Sequence, residues 1–273
     1  MNDLKKINYL ICTLIILFFA ACVSNKTGFK SEIKFAKNSI VAHRGAWKKE
    51  NYPENSIASL QQAIKIKATA SEFDVRMTAD DSLIINHDPH YNKLIIEQTK
   101  YSDLVVHKLA NGETLPCLRE YILAGIHNNT STRLVCEIKP SDISKERAIN
   151  IATKVVRQVQ QLKAEKWVVF ISFDYEILKQ IRKIDAQVSL QYLEGNKSPE
   201  ELKADRISGM DYHFSVFQKH PDWIERAKKN NITLNAWTVN DPQDMDWLIA
   251  NNFDFITTNE PELLAERIAK KRN

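Results

Sequence analysis

The strongest constraint on this chain is an alternation. A short β-favouring run is followed, again and again, by a stretch of helical period. Ile40–Arg44, Ala70–Val75, Arg133–Lys139, Trp167–Ser172, Gln187–Tyr192, Gly209–Phe214, Thr233–Val239 and Asp254–Thr257 read as strands. Apolar patterns of helical period lie between most of them and after the last: Glu54–Ala68, Leu118–Ile126, Ser144–Leu162, Tyr175–Lys183, Pro221–Lys229, Pro242–Ala250 and Pro261–Lys270. Strand then helix, repeated, is the signature of a parallel sheet. Eight such units predict a single (β/α)8 TIM barrel over 39–273, near the usual size of roughly 250 residues. The competing fold, an open doubly wound sheet, usually carries a Gly-rich phosphate turn after its first strand. Here that turn reads His43-Arg44-Gly45-Ala46-Trp47. Leu83–Asn86 is a ninth short strand, too close to Val75 for a crossover, and is expected to fold back as a hairpin. The chain holds only 6 glycines in 273 residues. Asn231, Asn252 and several lysines stand where helices should stop, and asparagine tolerates the left-handed cap.

The N-terminus obeys different rules. Lys5 and Lys6 precede a nearly unbroken apolar run, Tyr9–Ala21. That run is too short to span a bilayer, which takes about 20 residues, and fits the apolar region of a signal peptide. It ends in Phe19-Ala20-Ala21-Cys22, which resembles a bacterial lipobox. The expected organisation is a signal peptide over 1–21, a lipidated Cys22 as the new N-terminus, a polar tether over 22–38, and the barrel over 39–273. A plain secretory signal cut near Ala21 is the alternative. The lipoprotein reading predicts an exported domain anchored to a membrane and facing the periplasm or cell surface, since several acyl chains anchor stably where one is marginal. Cys117 and Cys136 remain in the mature chain, and their pairing is open. The net charge of +4 comes without any Arg/Lys cluster interleaved with aromatics, which argues against a nucleic-acid surface.

In a barrel of this kind reactive groups sit at the C-terminal ends of the strands. Polar residues accumulate there: His43 and Arg44 after the first strand, Glu72 and Asp74 on the second, Glu137 and Lys139 on the third, Ser172 and Asp174 on the fourth, Trp237 and Asn240 on the seventh. Strand side chains alternate between faces. Glu72 and Asp74 therefore share one face, and Glu137 and Lys139 share another, with Phe73, Val75, Cys136 and Ile138 turned outward. Converging carboxylates repel and raise one another's pKa unless neutralised. A hard divalent cation with oxygen ligands, Ca²⁺ or Mg²⁺, is the simplest partner. Zinc suits the pattern less, because no His pair or Cys set has its spacing. Taken singly each signal is weak. An E-x-D pair is common on surfaces, an E-x-K pair is as often an exposed ion pair, and His90, His107, His127, His213 and His220 read as structural, although His213 ends a strand. The joint placement is what points to a site.

The segment VAHRGAWKKENYPENSIASL, followed by EFDV, INHD, CEIKP, NAWTVN and DFITTNEP, resembles the glycerophosphodiester phosphodiesterase family in order and spacing over about 39–265. The resemblance implies a barrel with one divalent cation, often Ca²⁺ or Mg²⁺, on Glu72, Asp74 and Glu137. It implies His43 and His87 as the acid/base pair, Arg44 and Lys139 on the phosphate, Trp237 as an aromatic wall, and Asp88 as an orienting neighbour of His87. The implied route begins with attack by the glycerol's neighbouring hydroxyl, forms a cyclic phosphate, expels an alcohol, and ends when water opens the ring. The expected substrates are glycerophosphodiesters such as glycerophosphocholine or glycerophosphoethanolamine, giving glycerol 3-phosphate. A lysophospholipid or phosphoinositide substrate, or a non-catalytic lipoprotein that binds phospholipid headgroups, are the alternatives. Four departures stand out: Ser56 where threonine is commoner, Lys67 near a usual helix-ending glycine, Asn259 in place of a common aspartate, and a short segment between His87 and Glu137 with room for at most a small lid.

Overall fold

A computed structural model describes residues 32–272. The signal segment, Cys22 and most of the predicted tether lie outside the described residues. From Ile33 onward the chain forms one compact unit. Its strands are β1 (Ile40–Ala42), β2 (Ala70–Met77), β3 (Leu83–Ile85), β4 (His90–Tyr91), β5 (Leu94–Ile95), β6 (Arg133–Ile138), β7 (Val168–Ser172), β8 (Ser189–Tyr192), β9 (Gly209–His213), β10 (Thr233–Trp237) and β11 (Phe255–Thr258). Its helices are α1 (Ile57–Lys65), α2 (Tyr101–Leu104), α3 (Leu118–Ile126), α4 (Lys145–Gln161), α5 (Tyr175–Ile184), α6 (Pro199–Ala204), α7 (Phe214–Lys219), α8 (Asp222–Lys229), α9 (Pro242–Ala250) and α10 (Pro261–Arg272).

Eight strands, β1, β2 and β6–β11, pair in parallel, and β1 pairs with both β2 and β11. The ring is therefore closed, as the alternation predicts. β2 runs past the rim of the ring and takes β3 as an antiparallel partner, Val75 opposite Ile85 and Met77 opposite Leu83. This is the predicted hairpin.

Alternation sorts the side chains into two apolar layers. Phe73, Val75, Cys136 and Ile138 face outward and are wholly buried under the helices. Phe73 meets Tyr121 of α3 with ring centroids 4.6 Å apart. Burying one such ring is worth about 2–3 kcal/mol. A smaller layer, Val41, Ala70, Val135, Val169, Ile171 and Leu193, fills the ring itself. Helix starts follow capping chemistry: Ser56, Ser144 and Ser198 each accept a backbone N–H of the first turn. α6 was not anticipated from periodicity, because six residues are too few to show it. Its Ser198-Pro199-Glu200-Glu201 capping box carries the start signal instead.

The last residues of the predicted tether are held against the barrel. Lys34 N–H donates to Thr130 O and Ala36 N–H to Ser131 O, each at 2.8 Å. Asn38 Oδ1 accepts from Ile40 and Thr69, and the Arg133 guanidinium lies 4.0 Å above the Phe35 ring. These contacts lie at the N-terminal ends of the strands, opposite the mouth.

Glycine scarcity has a structural consequence. Lys67, Lys163, Arg206, Asn231 and Asn252 all take left-handed φ between 54° and 57° just past helix ends. For a residue with a Cβ this costs roughly 1–2 kcal/mol. Lys67 and Lys163 are exposed, so glycine at either place should relieve strain and lose little contact. Lys67→Gly and Lys163→Gly are each expected to raise stability by about 0.5–1 kcal/mol, and together to add, because the sites are independent. Urea unfolding of the single and double variants measures this; unchanged or lower midpoints would show that the lysine side chains contribute more than the strain they carry.

Candidate active site

β1 stops at Ala42, and the chain then enters a tight turn. Arg44 (φ 57°) and Gly45 (φ 84°) are both left-handed. A Cβ on Gly45 would fall 2.3 Å from Ser59 Oγ, so only glycine fits against α1. The turn aims Arg44 N–H at Glu72 Oε2, 2.8 Å away, and sets His43 at the mouth of the ring. Arg44 pays a strained φ for this placement, the kind of strain that collects at functional sites.

The following Pro53-Glu54-Asn55-Ser56 run supports the same acids. Glu54 accepts from Arg44 Nη1 at 2.6 Å. Asn55, also left-handed at φ 59°, donates to Asp74 Oδ2 at 2.8 Å and accepts from Asp74 N–H at 3.2 Å. Sequence reasoning used this motif for resemblance and assigned Glu54 and Asn55 no task. The helical pattern read from Glu54 onward set both inside the first helix, whereas α1 begins only at Ile57 and leaves them in the turn ahead of it.

Glu72 and Asp74 on β2 and Glu137 on β6 come together as predicted. Asp74 and Glu137 are register partners across the two strands. All three are buried, and each offers an oxygen within 4.8 Å of the others. Lys139 reaches into the group, its Nζ 2.9 Å from Asp74 Oδ1 and 2.6 Å from Glu137 Oε1. Glu72 Oε1 is buried with no hydrogen-bond partner. Burial, with the charges of Asp74 and Glu137, pushes the Glu72 carboxyl well up. Burial and Asp74 push Glu137 up to about 7 against the pull of Lys139. Burial would raise Asp74 too, but Lys139, His87 and the Asn55 amide hold it below the usual carboxylate range. A cluster of three carboxylates, with Glu72 Oε1 buried without a partner and Asp74 Oδ1 and Glu137 Oε1 met only by Lys139, fits a hard divalent cation with oxygen ligands.

The two histidines face this cluster with different partners. His43 Nδ1 lies 2.7 Å from Asn259 Oδ1, so the ring keeps its proton on Nδ1. Nε2 then faces Glu72 Oε2 at 4.0 Å. Burial, helped by Arg44, lowers the His43 pKa to about 4. The Asp-to-Asn departure at 259 thus retains a contact, with a neutral acceptor. His87 Nδ1 lies 2.8 Å from Asp88 Oδ1, and Arg76 Nε donates to His87 O at 2.8 Å.

A cavity of about 130 Å³ joins these groups: His43, Arg44, Glu72, His87, Glu137 and Lys139 line one part, and Ile171, Phe173, Leu193 and Trp237 another. Trp237 stands edge-on to Phe173, 5.5 Å between centroids, and its Nε1–H donates to Asp211 O at 2.8 Å. Asp211, on β9, also lines the cavity and was missed, because an acid between Met210 and Tyr212 carries no motif.

Other polar strand ends serve structure. Ser172 Oγ donates to Ile138 O, Asp174 caps α5 by accepting from Glu176 N–H, and Asn240 Oδ1 accepts from Asn259 N–H and Thr258 Oγ. His213 caps α7 and stands edge-on behind Trp237. Cys117 and Cys136 are both free.

Residues 43–263 match the profile of the glycerophosphoryl diester phosphodiesterase family. A glycerophosphodiester phosphodiesterase of Caldanaerobacter subterraneus is 28% identical over 249 residues, which is 86% of this chain and 99% of that protein. Among solved structures, a glycerophosphodiester phosphodiesterase from Parabacteroides distasonis superposes with a TM-score of 0.83 at 37% identity, covering 88% of this chain and all of that one. A phosphodiesterase from Oleispira antarctica, solved with the product sn-glycerol-3-phosphate, shares the fold with a TM-score of 0.70 at 23% identity, over 85% of this chain and 97% of that one.

The raised acids make the cation-free protein lose stability as pH rises. In the cation-free protein Glu137 keeps a proton up to about 7, whereas the unfolded chain releases it near 4.5. Its contribution is full below about 4.5 and is lost as pH rises through about 7, at about 1.4 kcal/mol per pH unit of mismatch. His43 works the other way: with its pKa lowered to about 4, it costs stability as pH falls below about 6.5 and nothing above. Between pH 6.5 and 8 only the acids act. Melting temperatures of chelator-treated protein are expected to fall across that window, and Ca²⁺ or Mg²⁺ is expected to restore them with proton release. A flat or rising profile would contradict this account of the cluster.

Proposed function

The chain belongs to the glycerophosphoryl diester phosphodiesterase family, and on that premise we propose that it hydrolyses glycerophosphodiesters to glycerol 3-phosphate and an alcohol at the mouth of its barrel. The observation that carries this reading is the meeting, in one cavity, of two histidines, a cationic pair and an acidic cluster. Each component suits a diester that carries one negative charge and gains more in the transition state.

Glu72, Asp74 and Glu137 would hold one divalent cation, Ca²⁺ or Mg²⁺, which when bound stabilises phosphoryl charge and makes a nearby hydroxyl more acidic. Arg44 and Lys139 bind the phosphate from the same side of the cavity. Lys139 neutralises Asp74 and Glu137, and a cation there would free its ammonium for the substrate. His43 is neutral at pH 7, with Nδ1–H tied to Asn259. Its Nε2 lone pair takes the proton of the glycerol's neighbouring hydroxyl as that oxygen attacks phosphorus. His87, fixed through Nδ1 by Asp88, is left as the donor, and protonates the departing alcohol oxygen. The cyclic phosphate is then opened by water with the two rings exchanging roles. Trp237 and Phe173 give the carbon skeleton an apolar wall.

The apolar run before Cys22 supports an exported protein, anchored to a membrane by lipid at Cys22 and facing the periplasm or cell surface.

Turnover of a diester panel, with Ca²⁺ or Mg²⁺ and with chelator, tests the activity. Glycerophosphocholine and glycerophosphoethanolamine are expected to be cleaved, and chelator to abolish the reaction. His43→Ala and His87→Ala should each lower kcat by about 10²–10⁴-fold and leave cation binding intact. Glu72→Ala should lose the cation. Asn259→Ala should lower kcat about tenfold with KM little changed, because the ring it steadies acts in the chemical step. Absence of turnover on every diester in both metals would refute the proposal.

A further inference from the structure

Asp211 is a buried acid at the cavity that the mechanism above does not use. It is 1% exposed, lines the same cavity as the catalytic groups, and its Oδ1 has no hydrogen-bond partner. Its neighbours on the barrel floor are already committed: Asn235 donates to Gln191 Oε1, and Thr257 Oγ donates to Asn235 Oδ1. Asn235 lies beside the Asp211 carboxyl and lowers its pKa slightly against the rise from burial, yet Oδ1 stays without a hydrogen-bond partner, and a buried oxygen left so is costly.

Its position is informative. The ring order β1-β2-β6-β7-β8-β9-β10-β11 puts β9 diametrically opposite β2. Asp211 therefore stands across the cavity from Glu72 and Asp74, on the wall that carries Ile171, Phe173, Leu193 and Trp237. The Trp237 indole donates to the backbone carbonyl of the same residue, so acid and aromatic wall are placed together. A substrate whose phosphate lies with Arg44 and Lys139 extends its far end toward this wall.

Resting on the glycerophosphodiesterase reading above, we propose that Asp211 is a specificity-determining residue that hydrogen-bonds the terminal hydroxyl of the substrate's glycerol moiety. Two physical points select a hydroxyl rather than the ammonium of a headgroup. Burial, with the charge of Glu137, raises the Asp211 carboxyl well above the ordinary range against the pull of Asn235, which favours its neutral form. A neutral carboxyl both donates and accepts, as a hydroxyl does, but offers a cation no countercharge. The cavity of about 130 Å³ also suits a three-carbon polyol better than a bulky quaternary amine.

The test compares glycerophosphocholine with its 1-deoxy analogue, the phosphocholine diester of propane-1,2-diol. The analogue keeps the neighbouring hydroxyl that attacks phosphorus and lacks only the terminal one. Wild type is expected to prefer the glycerol diester in kcat/KM by about 10- to 100-fold, since a site built for a hydroxyl rejects the analogue without it. Asp211→Leu should lower kcat/KM for the glycerol diester by a similar factor and leave the analogue within about threefold. Asp211→Asn, which still donates and accepts, should keep most of the preference. The proposal is overturned by a wild-type preference below about threefold, a comparison that needs no variant. It is equally overturned by an Asp211→Leu or Asp211→Asn variant that loses activity on both diesters alike, which is the mark of a structural role. Wild type that cleaves neither diester refutes the activity itself, and this inference falls with it.

Discussion

Three carboxylates held within 4.8 Å of one another inside the barrel are the constraint on which the rest of the site depends. Burial alone would protonate them, and their mutual repulsion adds to the effect. The surrounding structure is arranged to limit that penalty. Lys139 lies against Asp74 and Glu137, the Arg44 N–H is given to Glu72, and the Asn55 amide spans Asp74. Two of these supports come from residues with left-handed backbone, Arg44 and Asn55. Local strain and electrostatic compensation are thus parts of one solution: the chain accepts an unfavourable φ where it can place a dipole or a cation beside a buried anion.

β2 is the element that links this cluster to the histidines. Its inward face carries Glu72, Asp74 and Arg76, and its outward face carries Phe73 and Val75 into the helix layer. Because it overruns the rim and pairs with β3, the chain returns to the mouth at Asn86, whose N–H donates to Asp74 O. Arg76 then fixes the His87 carbonyl. His43 is placed by a different device, the closure of the ring. Its N–H donates to Thr258 O of β11, and its imidazole to Asn259 just beyond. One histidine thus depends on a hairpin and the other on the seam between the first and last strands, which gives long-range closure a direct chemical consequence.

How much of this was legible in the sequence follows from which signals are periodic. Eight strands and seven helices show in the alternation, and the closed ring follows from their number. Period two puts Glu72 with Asp74 and Glu137 with Lys139, and both pairs are found at the mouth. Contacts between segments distant in sequence leave no such trace. Asn55 reaching Asp74, Asn259 reaching His43 and Asp211 facing the acids from β9 depend on register and closure. Asp174 and Asn240 looked like site residues because strand ends are also helix starts, where the same residue types cap backbone groups. Short elements such as α6 and the β4–β5 hairpin fall below the length at which a period can be recognised.

The cavity has two chemically distinct walls, and the fold produces them from one rule. β1, β2 and β6 bring charge to the mouth, while β7 and the loop after it, the loop after β8, and β10 bring Ile171, Phe173, Leu193 and Trp237. In a closed ring these walls face each other across the cavity. A ligand that satisfies both has to be anionic at one end and carbon-rich at the other, with any further polar group falling where the apolar wall is interrupted. Asp211 is the acid among these interruptions, beside Thr238 and Thr257. Setting the charged wall against an apolar wall that carries one acid makes the two sides of the cavity chemically unlike, and it is this difference, rather than the phosphate site alone, that could tell one diester from another.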